Sequence, residues 1–237
     1  IMIHGSPGDG SNFNELAPEL TARGWRVMAP DLPGFGASRG DVPSYSNLAH
    51  ARGLLAMLEA LAIERAHIVG WSNGGAVGLW MADLEPQRIA SVTLLVGTGA
   101  QHTEGSGSYW FEHAKYGFGI ATLVVGAELV PHFGLLGPRQ MRWAFLRNFW
   151  DSDQRPLAAI MAELETPTLI LHGRKDFLIG VWAAREHHRI MRSSRLVVTP
   201  GGHFMPFLTP RETASHLAPF LARHDAREVM PLIQIAE

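Results

Sequence analysis

Residues 70–74 read Gly70-Trp71-Ser72-Asn73-Gly74, and they lie between an apolar run at residues 66–71 and a helix-like run at residues 76–84. A nucleophilic serine on a sharp strand-to-helix turn has strained dihedrals, and small neighbours give the adjacent elements room. Gly-x-Ser-x-Gly alone arises by chance, but the buried strand, turn and helix that it needs are all predicted here. We therefore predict that Ser72 is a nucleophile.

The chain on both sides of this turn alternates between strand-like and helix-like segments. Strands are predicted near residues 1–4, 25–29, 66–71, 91–97, 167–172 and 194–199, and helices near residues 12–23, 46–62, 181–191 and 209–223. Strands that alternate with helices are typical of an α/β fold with a parallel sheet. The sequence therefore predicts one α/β domain.

The alternation is interrupted by an aromatic-rich block. Residues 101–163 have no strong strand signal, which predicts a mainly helical insertion that is longer than an ordinary connection. We predict a core at residues 1–100 and 164–224, a helical cap at residues 101–163, and a tail or linker at residues 225–237. We also predict that the cap covers Ser72 and forms an apolar pocket, with these candidate wall residues: Trp71, Trp110, Phe118, Leu123, Phe145, Phe149 and Phe204. The alternatives are that the aromatic side chains only pack the cap onto the core, or that they dock on a membrane or on a neighbouring part of a longer chain.

A serine hydroxyl needs a base, and the base needs an acid that orients it. Asp176 follows the predicted strand at residues 167–172, and His203 follows the strand at residues 194–199 between glycine and phenylalanine. The carboxyl ends of parallel strands meet at one edge of the sheet. The order Ser72, Asp176, His203 is the one expected with this turn.

An oxyanion formed at Ser72 needs two N–H donors. One candidate is the amide of Asn73, the residue after the nucleophile. The other is the amide of Ser6 in the loop His-Gly-Ser-Pro-Gly at residues 4–8, because Pro7 has no N–H group.

Composition excludes several classes of function. The net charge is −2, which gives no basic surface of the kind that nucleic acids select, and there is no cysteine for disulfides or thiolate metal sites. The segment at residues 117–137 is apolar, but Glu128 and Pro131 disfavour a membrane-spanning helix. We expect no metal or organic cofactor, a small-molecule substrate, no nucleic-acid partner and a cytoplasmic location. Membrane association and oligomeric state stay open.

Five motifs together resemble the α/β-hydrolase superfamily. They are the loop at residues 4–8, Asp-Leu-Pro-Gly-Phe-Gly-Ala-Ser at 31–38, the turn at 70–75, Leu-His-Gly-Arg-Lys-Asp at 171–176, and Gly-Gly-His at 201–203. The resemblance implies a mostly parallel sheet with helices on both faces and a cap inserted after the sixth strand. It gives the nucleophile to Ser72, the acid to Asp176, the base to His203, and the oxyanion amides to Ser6 and Asn73. The superfamily usually has two more strands before the first motif, and this chain starts after them.

The turn and the loop at residues 31–38 are most similar to those of small carboxylesterases. We therefore expect a serine hydrolase that cleaves an ester, lactone or thioester with an apolar acyl group through an acyl-enzyme. One alternative is a cofactor-free C–C hydrolase or perhydrolase with the same triad, although C–C hydrolases usually have Asn where Trp71 stands. The other is a non-catalytic module of a larger protein.

Overall fold

A computed structural model describes residues 1–38, 40, 42–129 and 139–225, without the side chains of residues 127–129. It contains a five-stranded sheet in the order β1-β2-β3-β4-β5, and every neighbouring pair of strands is parallel. The strands are β1 (Met2–Ile3), β2 (Ala66–Trp71), β3 (Ile89–Leu95), β4 (Thr168–Gly173) and β5 (Ser194–Thr199). The predicted α/β fold with a parallel sheet is confirmed.

Nine helices surround this sheet in the described part of the chain. They are α1 (Leu16–Thr21), α2 (Asn47–Ala60), α3 (Gly74–Leu84), α4 (Tyr109–Leu129), α5 (Arg139–Asp151), α6 (Leu157–Glu163), α7 (Val181–Ile190), α8 (Met205–Leu208) and α9 (Pro210–His224). None of them is long and apolar enough to cross a membrane.

Alternation along the strands builds one core on each face of the sheet. In β2, Ile68 packs in a cluster with side chains of α2, α3 and α6, whereas Val69 packs in a second cluster with α1 and α9. Successive strand residues point to opposite faces, so a strand buried on both faces is apolar throughout. The two clusters hold the carboxyl ends of β2, β4 and β5 at the same edge of the sheet, with β3 between β2 and β4.

Two sequence predictions differ from the structure. Residues 25–29 do not form a strand; this extended segment is joined to β1 by the bond from Met2 N–H to Met28 O, at 2.8 Å. The predicted helix at residues 12–23 is a 3-10 turn at Gly10–Phe13 followed by the short helix α1. The predicted tail falls almost wholly outside the described residues, which end at 225, and so does part of the apolar segment at residues 117–137.

Helices α4, α5 and α6 occupy the chain between β3 and β4, where the sequence predicts an insertion. Helix α4 packs on α5, and α6 packs on α3 of the core. The division of the chain into a core and a cap stays a prediction.

Burial makes one histidine of the core a source of pH-dependent stability. His50 in α2 is 1% exposed and lies between the ring edges of Phe35 and Tyr45. Neither ring nitrogen has a hydrogen-bond partner. Burial, and after it the charge of His4, lower the pKa of His50, the charge of Asp151 opposes them, and the resulting pKa is about 4.

We expect the free energy of unfolding to fall as the pH drops from about 6.5 towards 4. The folded state holds His50 neutral, whereas the unfolded chain binds a proton near pH 6.5, so protons favour the unfolded state in this window. For a folded-state pKa of about 4, His50 alone contributes a loss of ~2 kcal/mol between pH 8 and pH 5. Urea unfolding of His50→Leu should show a smaller loss by about that amount. The exposed His188→Gln variant is the control, and equal losses in wild type and His50→Leu would contradict the assignment.

Candidate active site

The turn at residues 70–74 has the backbone strain that the sequence predicts. Ser72 has a φ of +53°, a region that side chains other than glycine rarely adopt. The turn stays in this conformation because β1, the end of β2 and the start of α3 are packed closely around it. A Cβ atom at Gly74 would lie 2.2 Å from the Ile3 carbonyl oxygen, and one at Gly70 would lie 2.2 Å from the Gly74 carbonyl oxygen.

We expect Gly74→Ala to destabilise the protein by ~3 kcal/mol, since the added methyl group must push β1 and α3 apart. Urea unfolding at neutral pH measures this loss. Gly119→Ala is the matched control, because Gly119 lies in α4 and nothing lies within 4 Å of its added Cβ atom. That variant should be more stable than wild type by ~0.5–1 kcal/mol. A Gly74→Ala protein as stable as wild type would contradict the close packing.

The three residues predicted as nucleophile, base and acid form one chain of hydrogen bonds. His203 Nε2 lies 3.0 Å from Ser72 Oγ, and His203 Nδ1 lies 2.8 Å from Asp176 Oδ2. With the ring proton on Nδ1, His203 donates to Asp176 and accepts from the Ser72 hydroxyl. Asp176 and His203 are 8% and 3% exposed, so bulk water competes little with these bonds.

Asp176 is held in place by its own loop. The backbone N–H groups of Leu178 and Ile179 both donate to Asp176 Oδ1, each at 2.8 Å. Burial by itself would raise the pKa of the Asp176 carboxyl. The hydrogen bond from His203 and those from the two backbone N–H groups outweigh burial, so the pKa lies below its ordinary value. Asp176 is therefore an anion at neutral pH.

Two further side chains support the loops that carry Asp176 and His203. Trp71, next to the nucleophile, donates its indole N–H to the His203 carbonyl at 2.9 Å. His172 lies at the end of β4 and donates to the Ile179 carbonyl at 2.8 Å. Its burial lowers its pKa, so the ring behind Asp176 is neutral and does not compete with His203 as a cation.

The amides predicted for the oxyanion are free to bind a ligand. Ser6, Ser72 and Asn73 line one cavity. Within the described residues, neither the Ser6 N–H nor the Asn73 N–H donates a hydrogen bond. Ser6 Oγ is also buried without a partner.

The side chain of Asn73 belongs to a buried cluster of three amides. Asn47 and Asn73 exchange two hydrogen bonds, at 3.0 and 2.9 Å, and Asn73 Nδ2 also donates to Asn148 Oδ1 at 3.1 Å. Asn148 Nδ2 donates to the Tyr45 carbonyl at 2.7 Å. This cluster joins the turn after Ser72 to α2 and to α5 of the inserted segment. We call it the asparagine cluster.

The cavity beside Ser72 has a volume of about 570 Å³, within the range of roughly 300–1,000 Å³ that is usual for small-molecule sites. Its apolar wall includes Ile120, Phe145 and Phe149. A second part of the wall is polar and includes Glu104, His113, Asn148, Ser152 and Gln154. Phe177, Leu178 and Trp182 line the cavity and are also exposed to solvent, so they form its mouth.

The predicted pocket residues divide into two groups. Phe145 and Phe149 line the cavity. The other five do not, and we correct the prediction for them: Trp71, Trp110, Phe118, Leu123 and Phe204. Trp71 is buried in the core cluster beside α1 and α9, and its indole supports His203 instead.

The reason for the other corrections is the orientation of the side chains. In α4, the residues that line the cavity are His113, Tyr116 and Ile120, at helical spacing, whereas Trp110 and Phe118 are 73% and 77% exposed. Leu123 also lies on the exposed side of α4, and the partly exposed Phe204 ring packs near Phe177. A count of aromatic residues does not say which face of a helix docks.

Neither the asparagine cluster nor the polar wall has a sequence motif that predicts it. Asn47 begins a helix of mostly apolar spacing, and Asn148 lies among aromatic residues, so each is an isolated polar residue in an apolar setting. That is a weak local signal for a buried amide. Among the described residues, no group of three or more His, Asp or Glu side chains could hold a metal ion.

Comparisons with known proteins identify the family of this chain and several relatives. The model of the family described as alpha/beta hydrolase fold matches residues 1–151. The 2-hydroxymuconate semialdehyde hydrolase of Pseudomonas sp. (strain CF600) is 31% identical over 97% of this chain and 88% of its own length. A pimeloyl-[acyl-carrier protein] methyl ester esterase of Neisseria meningitidis is 28% identical over 91% of this chain and 89% of its own.

A further relative is the dihydrolipoyllysine-residue acetyltransferase component of the acetoin cleaving system of Pseudomonas putida, at 30% identity over 94% of this chain. The match spans only 63% of that relative's length. Among solved structures, a thermophilic esterase from Thermogutta terrifontis superposes with a TM-score of 0.77 at 21% identity, covering 94% of this chain and 89% of that one. This structural likeness shows the fold. Taken with the family match and the relatives, it identifies the chain as an enzyme that belongs to the alpha/beta hydrolase fold family.

Proposed function

We propose that this enzyme hydrolyses a carboxylic ester, lactone or thioester with an apolar acyl group, through an acyl-enzyme on Ser72. The observation that carries the proposal is the position of His203, whose two ring nitrogens lie 3.0 Å from Ser72 Oγ and 2.8 Å from Asp176 Oδ2. This is the arrangement in which a histidine can remove a hydroxyl proton while a carboxylate holds its tautomer.

In the proposed reaction, Ser72 Oγ attacks the carbonyl carbon and its proton passes to His203 Nε2. The imidazolium that forms is stabilised by ionised Asp176. His203 then protonates the leaving alkoxide or thiolate, which departs and leaves an ester on Ser72. Water attacks this ester with His203 as base, and the acid product is released with Ser72 restored.

The negative charge on the carbonyl oxygen needs donors that are already in place. The unpartnered N–H groups of Ser6 and Asn73 fit that role in the proposal. Preorganised donors stabilise a developing oxyanion without the reorganisation that water would require. The asparagine cluster holds the side chain of Asn73 and so supports the position of the backbone N–H group of the same residue.

The apolar acyl part of the substrate would lie against Ile120, Phe145 and Phe149. In this proposal, residues 101–163 are the cap that supplies the wall over a core formed by residues 1–100 and 164–224. The methyl ester esterase among the relatives supports ester hydrolysis, since its name gives an ester of an acyl chain as its substrate.

Cleavage of a C–C bond is the second candidate, because a relative at 31% identity is named a 2-hydroxymuconate semialdehyde hydrolase. A muconate derivative is an anion. None of the described residues that line the cavity is a lysine or an arginine, and Glu104 is among them. An anionic substrate would therefore lack a cation in this cavity, which favours the ester.

The test combines a fluorophosphonate probe with substrates. Mass spectrometry should find one label on wild type and none on Ser72→Ala, and wild type should hydrolyse p-nitrophenyl esters with a preferred acyl length. 2-Hydroxymuconate semialdehyde is assayed in parallel. Labelling with turnover of that compound alone would replace ester hydrolysis by C–C cleavage. No label and no turnover would refute the proposal and favour a non-catalytic module.

A further inference from the structure

Three polar atoms of the cavity wall have nothing to bind. Glu104 Oε1, His113 Nε2 and Gln154 Oε1 are buried, and none has a hydrogen-bond partner. All three residues line the cavity that also contains Ser72. Buried polar atoms in folded proteins almost always have partners, so three without one around a single cavity require an explanation.

The unpaired atoms share one chemical character. A carboxylate oxygen and an amide oxygen accept hydrogen bonds, and a neutral imidazole nitrogen without a proton also accepts. Glu104 Oε1 and Gln154 Oε1 therefore accept as a carboxylate and an amide oxygen, and His113 Nε2 accepts in the tautomer that carries its proton on Nδ1.

The protein's own cations near these residues are engaged elsewhere. Lys115 Nζ pairs with Glu112 Oε2 at 2.7 Å, and Arg155 pairs with Asp153 at 2.7 Å while its guanidinium lies over the Tyr109 ring. In the described part of the chain, Glu104 has no ion pair. Lys115 and Arg155 therefore do not supply a hydrogen-bond donor to the unpaired atoms of Glu104, His113 and Gln154.

Among the described residues, no cation offsets the burial of the Glu104 carboxyl group. Burial is the largest cause that raises its pKa, a hydrogen bond from the Gly99 N–H opposes the shift, the charge of Glu112 adds to it, and the resulting pKa is about 7. A carboxylate that a cation or several donors stabilised would not be raised in this way. A donor from a bound molecule would satisfy it.

The rest of the wall limits what that molecule can be. The His113 ring stacks on the Phe149 ring with centroids 4.8 Å apart, and Ile120 and Phe145 line the same cavity. The acceptors thus lie beside an apolar part of the wall. A molecule that fits both has an apolar body and one hydrogen-bond donor.

We propose that the substrate carries a hydrogen-bond-donating group, either a hydroxyl or a protonated amine, which Glu104, His113 and Gln154 bind away from the reacting carbonyl. This inference rests on the proposed ester hydrolysis at Ser72 and adds a substrate class to it: an ester of amphipathic character rather than a plain alkyl ester.

The experiment compares matched esters on the full chain. One series varies the acyl side: p-nitrophenyl hexanoate, 6-hydroxyhexanoate and 6-aminohexanoate. The other varies the alcohol side: pentyl, 5-hydroxypentyl and 5-aminopentyl butyrate. The readout is kcat/KM of each substituted ester divided by that of the unsubstituted ester. In one of the two series we expect this ratio to be about ten or more for wild type, which corresponds to ~1.4 kcal/mol.

The variants identify the acceptors. Glu104→Gln should lower the ratio about tenfold for the ammonium ester, and Gln154→Leu should lower it for both substituted esters. The exposed Glu64→Gln is the control and should keep the wild-type ratio. A preference for the ammonium ester identifies an amine, and a preference for the hydroxyl ester identifies an alcohol.

Ratios of one or less in both series would overturn the inference, and so would wild-type ratios in Glu104→Gln and Gln154→Leu. Fluorophosphonate labelling of Ser72 and hydrolysis of the unsubstituted ester are measured in the same preparations. If both occur, only the donor-binding site has failed. If neither occurs, the proposed hydrolysis itself has failed.

Discussion

Replacing Ser72 or His203 by alanine should reduce kcat for the preferred ester by a factor of ~10⁵–10⁶. The loss is large because the hydroxyl and the imidazole, 3.0 Å apart, act as one unit: without the base the hydroxyl stays protonated, and without the hydroxyl the base has no nucleophile to activate. Steady-state kinetics measures the loss. Thermal unfolding should show a folded protein in both cases.

The pairing of Ser72 with His203 can also be tested by combining the two substitutions. The double variant Ser72→Ala/His203→Ala should be no slower than either single variant, because removing the second member of a broken pair costs nothing more. Ser215→Ala and His188→Ala, both at exposed positions, are the matched controls and should keep wild-type kinetics. Losses that multiply in the double variant, or activity retained in folded His203→Ala, would contradict the pairing.

Asp176→Asn should lower kcat by ~10⁴ while the protein stays folded. The backbone N–H groups of Leu178 and Ile179 already donate to one oxygen of residue 176. The amide oxygen of the asparagine must take that position, so its NH₂ group points at His203 Nδ1. Nδ1 then accepts, the ring proton moves to Nε2, and His203 can no longer accept a proton from Ser72.

This outcome is measured by kcat against the Asp83→Asn control, which changes the same chemistry at an exposed position. A loss below tenfold in Asp176→Asn would show that the carboxylate does not set the tautomer. Because the two backbone donors are part of the argument, the crystal structure of the variant should show the amide oxygen towards Leu178 and Ile179.

The parts of the fold and site that the sequence predicts are those with local causes. The turn around Ser72 needs glycines at fixed positions, and the strands before Ser72, Asp176 and His203 each contain a short apolar run. Parallel strands bring their carboxyl ends to one edge, which is why residues more than a hundred positions apart in sequence meet there. The composition of residues 25–29 suits a strand, but one backbone hydrogen bond, from Met2 N–H to Met28 O, joins this segment to β1.

The parts that the sequence does not predict depend on how helices dock. Phe149 and Phe118 look alike in the sequence, yet one lines the cavity and the other is exposed. At Gly117, a Cβ atom would lie 3.0 Å from the Trp150 ring, so the bare backbone of α4 allows α5 to pack closely there. Asn47, Asn73 and Asn148 meet only when α2, the nucleophile turn and α5 have assembled. No short stretch of sequence therefore predicts their cluster.

The asparagine cluster has a consequence for how this enzyme can change over generations. Each of its amides satisfies another, so a single replacement by leucine leaves a buried donor or acceptor unmet, at a cost of ~1–3 kcal/mol. Replacing all three at once leaves no side-chain amide unmet and removes one further bond, from Asn148 Nδ2 to the Tyr45 carbonyl. The effects of substitutions at positions 47, 73 and 148 are therefore not additive. A stepwise route to the triple variant passes through intermediates of low stability. The identity of residue 73, next to the nucleophile, is therefore constrained by Asn47 and Asn148 as much as by the reaction.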